Sequence, residues 1–271
     1  MPLPENDSIR TVLVTGASGG IGREICLAMA EEARAAGEPL RIAVHGSRES
    51  EALAALAREL DAPSVTAMAF AADLTDAEAT ACLVDDVLRW AGRLDVLVSN
   101  AGQSRPGALA ELTPEQWQQT MDLNLRATWL LARQARDALR ASGGNIVAIA
   151  SMSGLSPHPG YGAYSPAKAG LVMLCKQLAQ EWAADGIRVN AVCPGMIRTP
   201  LTEAVYREEA TRRARERLVP LGRIGTPRDI ADATVFLGSG KASYITGAAL
   251  LVDGGLSERM LELIPGRPDK S

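Results

Sequence analysis

Short apolar runs punctuate the chain, and between them lie longer stretches rich in Ala, Leu, Glu and Arg with helical patterning. The runs are Thr11 to Thr15, Leu40 to His45, Val65 to Phe70, Asp95 to Ser99, Asn145 to Ala150, Ile187 to Cys193 and Ala249 to Val252. Nearly continuous apolar runs suit strands buried on both faces, and the segments between them are long enough for crossover helices. This alternation predicts a parallel sheet covered by helices on both sides. Arg198 to Val219 breaks the rhythm with Thr199-Pro200 and a strongly charged, helix-like run. No composition shift, Pro/Ser-rich linker or further internal repeat divides the chain, so a single domain is expected over residues 11–255. Residues 1–10 read as an N-terminal tail and 256–271 as a C-terminal extension, with Met1 to Ser8 and Pro265 to Ser271 expected to be poorly ordered.

Composition narrows the function classes. With 271 residues and 47% of them hydrophobic, the chain can bury a large core. A formal net charge of -4 gives no electrostatic footprint for nucleic acid. Nowhere do about 18 uncharged apolar residues run together, and Met1 to Arg10 carries no apolar stretch, so a soluble, cytoplasmic protein without a membrane partner is expected. Cys26, Cys82, Cys175 and Cys193 are scattered, and only His45 and His158 could join them. That pattern reads as buried reduced thiols and no metal site.

The candidate chemistry lies in two places. Tyr164 and Lys168 stand four residues apart in Tyr-Ser-Pro-Ala-Lys, a spacing that puts both side chains on one face of a helix. A phenol titrates near ~10, and a fixed ammonium beside it favours phenolate, so the pair reads as a tuned general acid/base. Ser151, at the end of an apolar run, supplies a nearby hydroxyl. The second place is Thr15-Gly16-Ala17-Ser18-Gly19-Gly20-Ile21-Gly22, directly after the first apolar run and before a helical pattern beginning near Arg23. A glycine-rich turn between strand and helix cradles phosphate with backbone N–H groups.

These motifs, with Ser99-Asn100-Ala101-Gly102, Asn124 and Pro194-Gly195, occur in an order and spacing that closely resembles the classical short-chain dehydrogenase/reductases, particularly bacterial members near the 3-oxoacyl carrier-protein reductases. The resemblance runs from about Thr11 to Gly255 and implies a Rossmann-type doubly wound sheet of seven parallel strands in the order 3-2-1-4-5-6-7. It implies that Tyr164 exchanges the proton, Ser151 holds the substrate oxygen, Lys168 tunes the phenol and binds the nicotinamide ribose, and Asn124 carries a water-linked relay behind the lysine. For the cofactor it implies contacts from Gly16, Ser18, Gly20, Ile21 and Gly22, from Asp73 and Leu74, from Asn100, Ala101 and Gly102, and from Pro194, Gly195, Ile197 and Thr199. Ser99 stands where the family more often has Asn. The segment at about 196–220 corresponds to the family's lip over the substrate. Its Arg207, Arg212, Arg213, Arg215 and Arg217 alternate with Glu203, Glu208, Glu209 and Glu216, which reads as a self-paired surface helix. Relatives pack the region of Tyr244 to Gly247 and Val252 to Gly255 across a subunit interface, so a homotetramer or homodimer is expected.

Cofactor choice turns on Gly46, Ser47 and Arg48 after the second run. Gly46 occupies the place where NAD enzymes of this type put a carboxylate, and Arg48, with His45 and Ser47, is positioned to meet a 2′-phosphate. NADP(H) is therefore favoured over NAD(H). The leading reading is a carbonyl reductase or alcohol dehydrogenase acting on a ketone/secondary alcohol pair. A 3-oxoacyl carrier-protein reductase is the alternative, with Asp185 in Ala-Asp-Gly-Ile-Arg placing a negative charge where carrier-dependent relatives carry a basic residue. A non-catalytic nucleotide sensor is the reading from another class. Tyr161 reads as a pocket-wall residue, and Ser153 and His158 as bystanders in the same loop.

Overall fold

A computed structural model of the chain describes residues 9–263. The expectations for Met1 to Ser8 and Pro265 to Ser271 lie outside the described residues. The chain opens with β1 (Arg10–Val14), α1 (Gly20–Ala36), β2 (Leu40–Gly46), α2 (Glu51–Leu60), β3 (Val65–Ala71), α3 (Ala77–Ala91) and β4 (Val96–Ser99). It continues through α4 (Pro114–Met121), a π-helical turn (Asp122–Arg126), α5 (Ala127–Ser142), β5 (Asn145–Ile149), α6 (Tyr164–Trp182) and β6 (Arg188–Pro194). It closes with α7 (Glu203–Arg207), α8 (Glu209–Glu216), α9 (Pro227–Gly238), β7 (Ala249–Val252) and a 3₁₀ segment (Leu256–Leu263). Each strand lies within a residue or two of its apolar run.

The seven strands form one sheet in the order β3-β2-β1-β4-β5-β6-β7, and every neighbouring pair is parallel. β1, β4 and β5 are almost wholly buried, whereas the edge strands β3 and β7 are partly exposed, as expected where only the inner side has a neighbour. Two apolar layers result. Val12, Val14, Ile42, Val44, Val96 and Val98 point to the face covered by α1, α2 and α9, where α1 packs on α9. Leu13, Ala43, Leu97, Ile146, Ala148 and Ala191 point to the face covered by α3, α5 and α6. Successive residues of one strand feed opposite cores, which is why the runs are continuous and not alternating.

The helix ends follow local chemistry. Asp76 caps α3 by accepting from the Glu78 and Ala79 amides, and Thr113 with Gln116 forms a capping box at α4. Gly37, Gly92 and Gly143 end α1, α3 and α5 in the left-handed conformation. α1 begins at Gly20, three residues ahead of the expected Arg23, on a Gly19 cap that offers no side-chain acceptor. β1 and β4 mark where the strand order reverses, so the crevice at their carboxyl ends is the natural ligand position of such a sheet. Among the described residues no helix is long and apolar enough to cross a membrane.

Candidate active site

The glycine turn leaves β1 at the edge of that crevice. Gly16 has φ +64°, and a Cβ there would stand 2.9 Å from the Ala101 Cα. A Cβ on Gly22 would meet the Gly16 carbonyl oxygen at 2.3 Å and Asn100 Nδ2 at 2.6 Å. Side chains are excluded because the turn folds directly onto the β4 exit. Asn100 Nδ2 donates to the Thr15 and Gly16 carbonyls at 2.9 and 3.1 Å, and Thr15 Oγ1 accepts the Asn100 and Ala101 amides at 3.0 and 3.1 Å. Thr15 is a clamp that its place in the motif did not reveal. Ser99, in the family's Asn position, is tied to α5 by a 2.7 Å hydroxyl contact with Thr128. Above the clamp, the amides of Gly20, Ile21 and Gly22 open α1 without intrahelical acceptors, in the geometry that binds phosphate. Ser18 is exposed beside them.

The loop after β6 faces this turn. A Cβ on Gly20 would stand 3.7 Å from Thr199 Cβ, so the Thr199 side chain overhangs the start of α1. Thr202 Oγ1 accepts the Thr199 amide at 2.8 Å and donates to the Ile197 carbonyl at 2.8 Å, fixing the loop. Gly195 is required because a Cβ would lie 2.5 Å from Asp253 Cβ. Pro194 ends β6 against Val252. The Ile197 side chain is buried against Gly225, so only its backbone faces the crevice. Leu74 is likewise a core side chain with only its backbone to offer. Asp73 is exposed, and its carboxylate, held below the usual range by the Thr75 amide and hydroxyl, keeps one oxygen free of those bonds.

At the reacting end, Tyr164 is the first residue of α6 and Lys168 lies one turn on. Pro166 fits because it sits in the first turn, where no intrahelical acceptor is needed. Lys168 is 3% exposed, and its Nζ donates to the Ile149 carbonyl at 2.8 Å and lies 5.7 Å from the Tyr164 ring centre. Burial lowers its ammonium to about 8, an effect that the neighbouring Cys193 and Cys175 thiols oppose. The Tyr164 phenol stands above its ordinary value, and burial is the largest cause. A hydrogen bond with the Ser151 side chain partly opposes this, and Tyr161 adds to the rise. The buried Lys168 ammonium gives one of its hydrogens to the Ile149 carbonyl. Ser151 stands two residues past the end of β5, and its Oγ accepts the Ser153 amide at 3.1 Å.

Asn124 lies in the π-helical turn between α4 and α5, a bulge of the kind that reorients side chains at sites. Its Nδ2 donates to the Gln103 and Thr120 carbonyls at 2.9 and 3.0 Å, and its Oδ1 accepts the Gln103 amide at 3.2 Å. The side chain therefore pins the loop after β4, and a relay through Asn124 is left to its backbone. Gly102 is the spacer: a Cβ there would be 2.7 Å from Asn124 Oδ1 and 3.4 Å from Lys168 Nζ.

Three readings of the surrounding residues change. His45 is 1% exposed beneath the glycine turn, so it is corrected from a 2′-phosphate contact to an interior group. His158 does have partners: its Nδ1 is 3.1 Å from Ser153 Oγ, and its ring stacks on Tyr161 at 3.7 Å, with Tyr161 in turn 6.5 Å from Tyr164. Burial and the Arg215 charge hold His158 below its ordinary value. Cys82 is exposed on α3, while Cys26, Cys175 and Cys193 are buried as expected. The lip is largely self-paired, through Arg198 with Glu203, Arg212 with Glu216 and Arg213 with Glu209, and Arg215 lies over the Tyr206 ring. Arg48 and Ser47 are exposed beyond β2, and among the described residues Arg48 has no hydrogen-bond or ion-pair partner. A cavity of about 560 Å³ lined by Leu109, Ser153, Leu155, His158, Ser165 and Pro166 opens beside the loop that follows Ser151.

Comparison with known proteins agrees with this geometry. Residues 16–257 match a short-chain dehydrogenase/reductase family model described as Enoyl-(Acyl carrier protein) reductase. The chain is 37% identical over 248 residues to the 3-oxoacyl-(acyl-carrier-protein) reductase FabG of Staphylococcus aureus, covering 91% of this chain and 98% of that one. It is 35% identical over 250 residues to 3beta-hydroxysteroid dehydrogenase 1 of Eggerthella lenta, covering 92% and 94%. A solved chain from Sinorhizobium meliloti 1021, assigned to the short-chain alcohol dehydrogenases, superposes with a TM-score of 0.84 at 34% identity and covers 93% of this chain and 98% of its own. The seven-stranded sheet, the glycine turn and these relatives together make the chain a member of the short-chain dehydrogenase/reductase family, and an NAD(P)-dependent oxidoreductase.

Proposed function

We propose that this enzyme interconverts a ketone and its secondary alcohol, with Tyr164 as the proton-transferring group and NADP(H) preferred over NAD(H). The observation that carries the reading is the convergence of Ser151, Tyr164 and a buried Lys168 on the crevice that the glycine turn opens. The fit for a dinucleotide is physical: Gly16, Gly22 and Gly102 leave space that any Cβ would fill, and the α1 amides stand ready for phosphate. Bound in that crevice, the reduced nicotinamide supplies the hydride to the carbonyl carbon. Tyr164 gives its phenolic proton to the substrate oxygen as the alcohol forms, and Ser151 holds that oxygen and stabilises its developing charge. A phenol pushed up by burial stays protonated at neutral pH, which suits the reductive direction. Lys168, held by Ile149, binds the ribose and returns the proton, with Asn124 shaping the wall behind it.

Asp73 and Leu74 serve the adenine side, Asn100 to Gly102 the ribose side, and Pro194, Gly195, Ile197 and Thr199 the nicotinamide side. NADP preference rests on Gly46, which offers no carboxylate, and on the unpartnered Arg48. A soluble, cytoplasmic homotetramer or homodimer is part of the same reading. Exposed Trp129 and Met173 on α5 and α6, and Tyr244 and Leu250 near β7, offer apolar area for such contacts.

A second reading, reduction of a 3-oxoacyl group on a carrier protein, is favoured by the relatives bearing that name. Against it, Asp185 is engaged with Arg136 at 2.5 Å and presents no cation, and the lip arginines are mostly paired. A panel of ketones, alcohols and 3-oxoacyl thioesters, offered with both nucleotides and followed by nicotinamide absorbance, tests both. Turnover of ketones with NADPH supports the leading reading. Turnover confined to the thioesters supports the second, and nucleotide binding without any turnover favours a sensor.

A further inference from the structure

His45 belongs to β2, where it pairs with Phe70, and its ring rises between the glycine turn and the exit of β3. Its Nδ1 lies 3.4 Å from the Gly16 amide and its Nε2 lies 3.0 Å from the Ala72 carbonyl oxygen. Its own carbonyl accepts the Ala17 amide at 2.8 Å, so one residue holds two consecutive amides of the turn. The partners dictate the ring's state. The Ala72 carbonyl needs a donor and the Gly16 amide needs an acceptor, so the ring is neutral with its hydrogen on Nε2. The pairing of β1 with β2 ends at Val14 and Val44, and Gly16 turns out of the ladder with φ +64°. Without the imidazole, the half-buried Gly16 amide loses its acceptor, an unpaired state that folded proteins seldom keep.

We propose that His45 is a positioning residue for the nucleotide: its imidazole ties the Gly16 amide to the Ala72 carbonyl and so sets the phosphate turn and the entrance to Asp73 in one fixed arrangement. This rests on the reading of the turn as the nucleotide site. The tie consumes the Gly16 and Ala17 amides, leaving those at the start of α1 for the ligand. It also couples the two loops that flank the adenosine end, since Ala72 stands directly before Asp73. A preset turn lowers the ordering cost of binding and acts on affinity without touching the reacting atoms.

The test compares the full chain with His45→Leu, which removes both ring bonds at similar volume, and His45→Asn, whose side-chain oxygen can still accept the Gly16 amide. Hydrogen exchange on the nucleotide-free proteins reads the turn, and calorimetric titration with NADPH reads affinity. We expect His45→Leu to speed exchange at Gly16 and Ala17 at least about tenfold while β4 and β5 amides stay protected. It should weaken NADPH about threefold to tenfold, the loss of roughly one hydrogen bond. The Michaelis constant for NADPH should rise with kcat little changed, and His45→Asn should recover most of the affinity. Unchanged exchange at Gly16 in a folded His45→Leu protein overturns the proposal, as does unchanged NADPH affinity. If exchange rises but the unmutated protein binds neither NADPH nor NADH, the nucleotide reading of the turn is what fails, and with it any role of His45 toward the ligand. Where His45→Leu fails to fold, His45→Asn alone decides: its exchange at Gly16 should stay near the unmutated rate while exchange at Ala72 and Asp73 rises, and the reverse pattern overturns the proposal.

Discussion

The end of the crevice around Lys168 and the open end beyond β2 are built on opposite principles. Around Lys168 each group is enclosed and partnered: Nζ on Ile149, Asn124 on Gln103 and Thr120, and Ser151 beside Tyr164 and Ser153. Beyond β2 and β3, Ser47, Arg48 and Asp73 stand in solvent. Where side chains are locked by packing, geometry fixes their chemistry, whereas an exposed cation acquires a role only when a ligand arrives. The contrast predicts catalysis that fails abruptly on substitution and a cofactor preference that shifts by degrees.

The largest effect should come from the enclosed end. Tyr164→Phe removes the proton donor and little else, so kcat should fall by at least about 100-fold while NADPH affinity stays close to that of the parent. Steady-state kinetics with a binding titration checks both halves. Next comes the turn: Gly22→Ala puts a methyl group into the Gly16 carbonyl and Asn100, at a cost of about 1 to 3 kcal/mol and most of the nucleotide affinity. Gly19→Ala, with nothing within 4 Å of its new Cβ, is the matched control and should bind almost normally.

The open end should respond more gently. If Arg48 meets the 2′-phosphate, Arg48→Ala should weaken NADPH by about tenfold and leave NADH nearly unchanged. Gly46→Asp should reverse the preference, because its new Cβ meets the Leu53 side-chain tip at 3.2 Å and the Arg48 carbonyl oxygen at 3.4 Å without a clash, and the carboxylate repels the phosphate. Paired titrations with the two nucleotides read each variant. Unchanged affinity for both nucleotides in Arg48→Ala would assign Arg48 to solvent.

The smallest effect concerns stability. The folded protein lowers Lys168 to about 8, while an unfolded lysine titrates near ~10.4. Below about pH 8 the folded state carries a poorly solvated ammonium, and between those values it has released a proton that the unfolded chain still holds, so this group makes stability rise with pH. Lys168→Met should therefore raise the Tm of the nucleotide-free protein at pH 7 by about 2 to 4 °C, a gain offset in part by the orphaned Ile149 carbonyl. The gap should close toward pH 10. A lower Tm at pH 7 would show that the Ile149 bond outweighs the burial cost.

How much of this was legible in the sequence follows the same division. Apolar runs located all seven strands, the inner ones because burial on both faces leaves no other composition and the partly exposed edge strands β3 and β7 by their small and apolar residues, but only resemblance supplied their order, since pairing across a crossover leaves no local trace. The start of α1 was read late, as Gly19, Gly20 and Gly22 carry no helical propensity. The Tyr164–Lys168 spacing showed that the two side chains share a helix face but could not show the burial that raises the phenol, because helical spacing reports adjacency and not burial. His45 was misjudged for the same reason: its neighbours Gly16 and Ala72 are near only once the parallel sheet has formed. The π-helical turn at Asn124 and the Ser153–His158 contact left no signal in residue types alone.

The most direct test of the central claim is transfer of deuterium to a ketone from NADPH that carries deuterium at both C4 positions, followed by mass spectrometry of the alcohol. The account predicts one deuterium on the carbinol carbon per NADPH oxidised with the unmutated enzyme, and almost no labelled alcohol with Tyr164→Phe under the same conditions. Labelled alcohol formed at comparable rates by both proteins, or NADPH consumed without label reaching any carbonyl carbon, would contradict it.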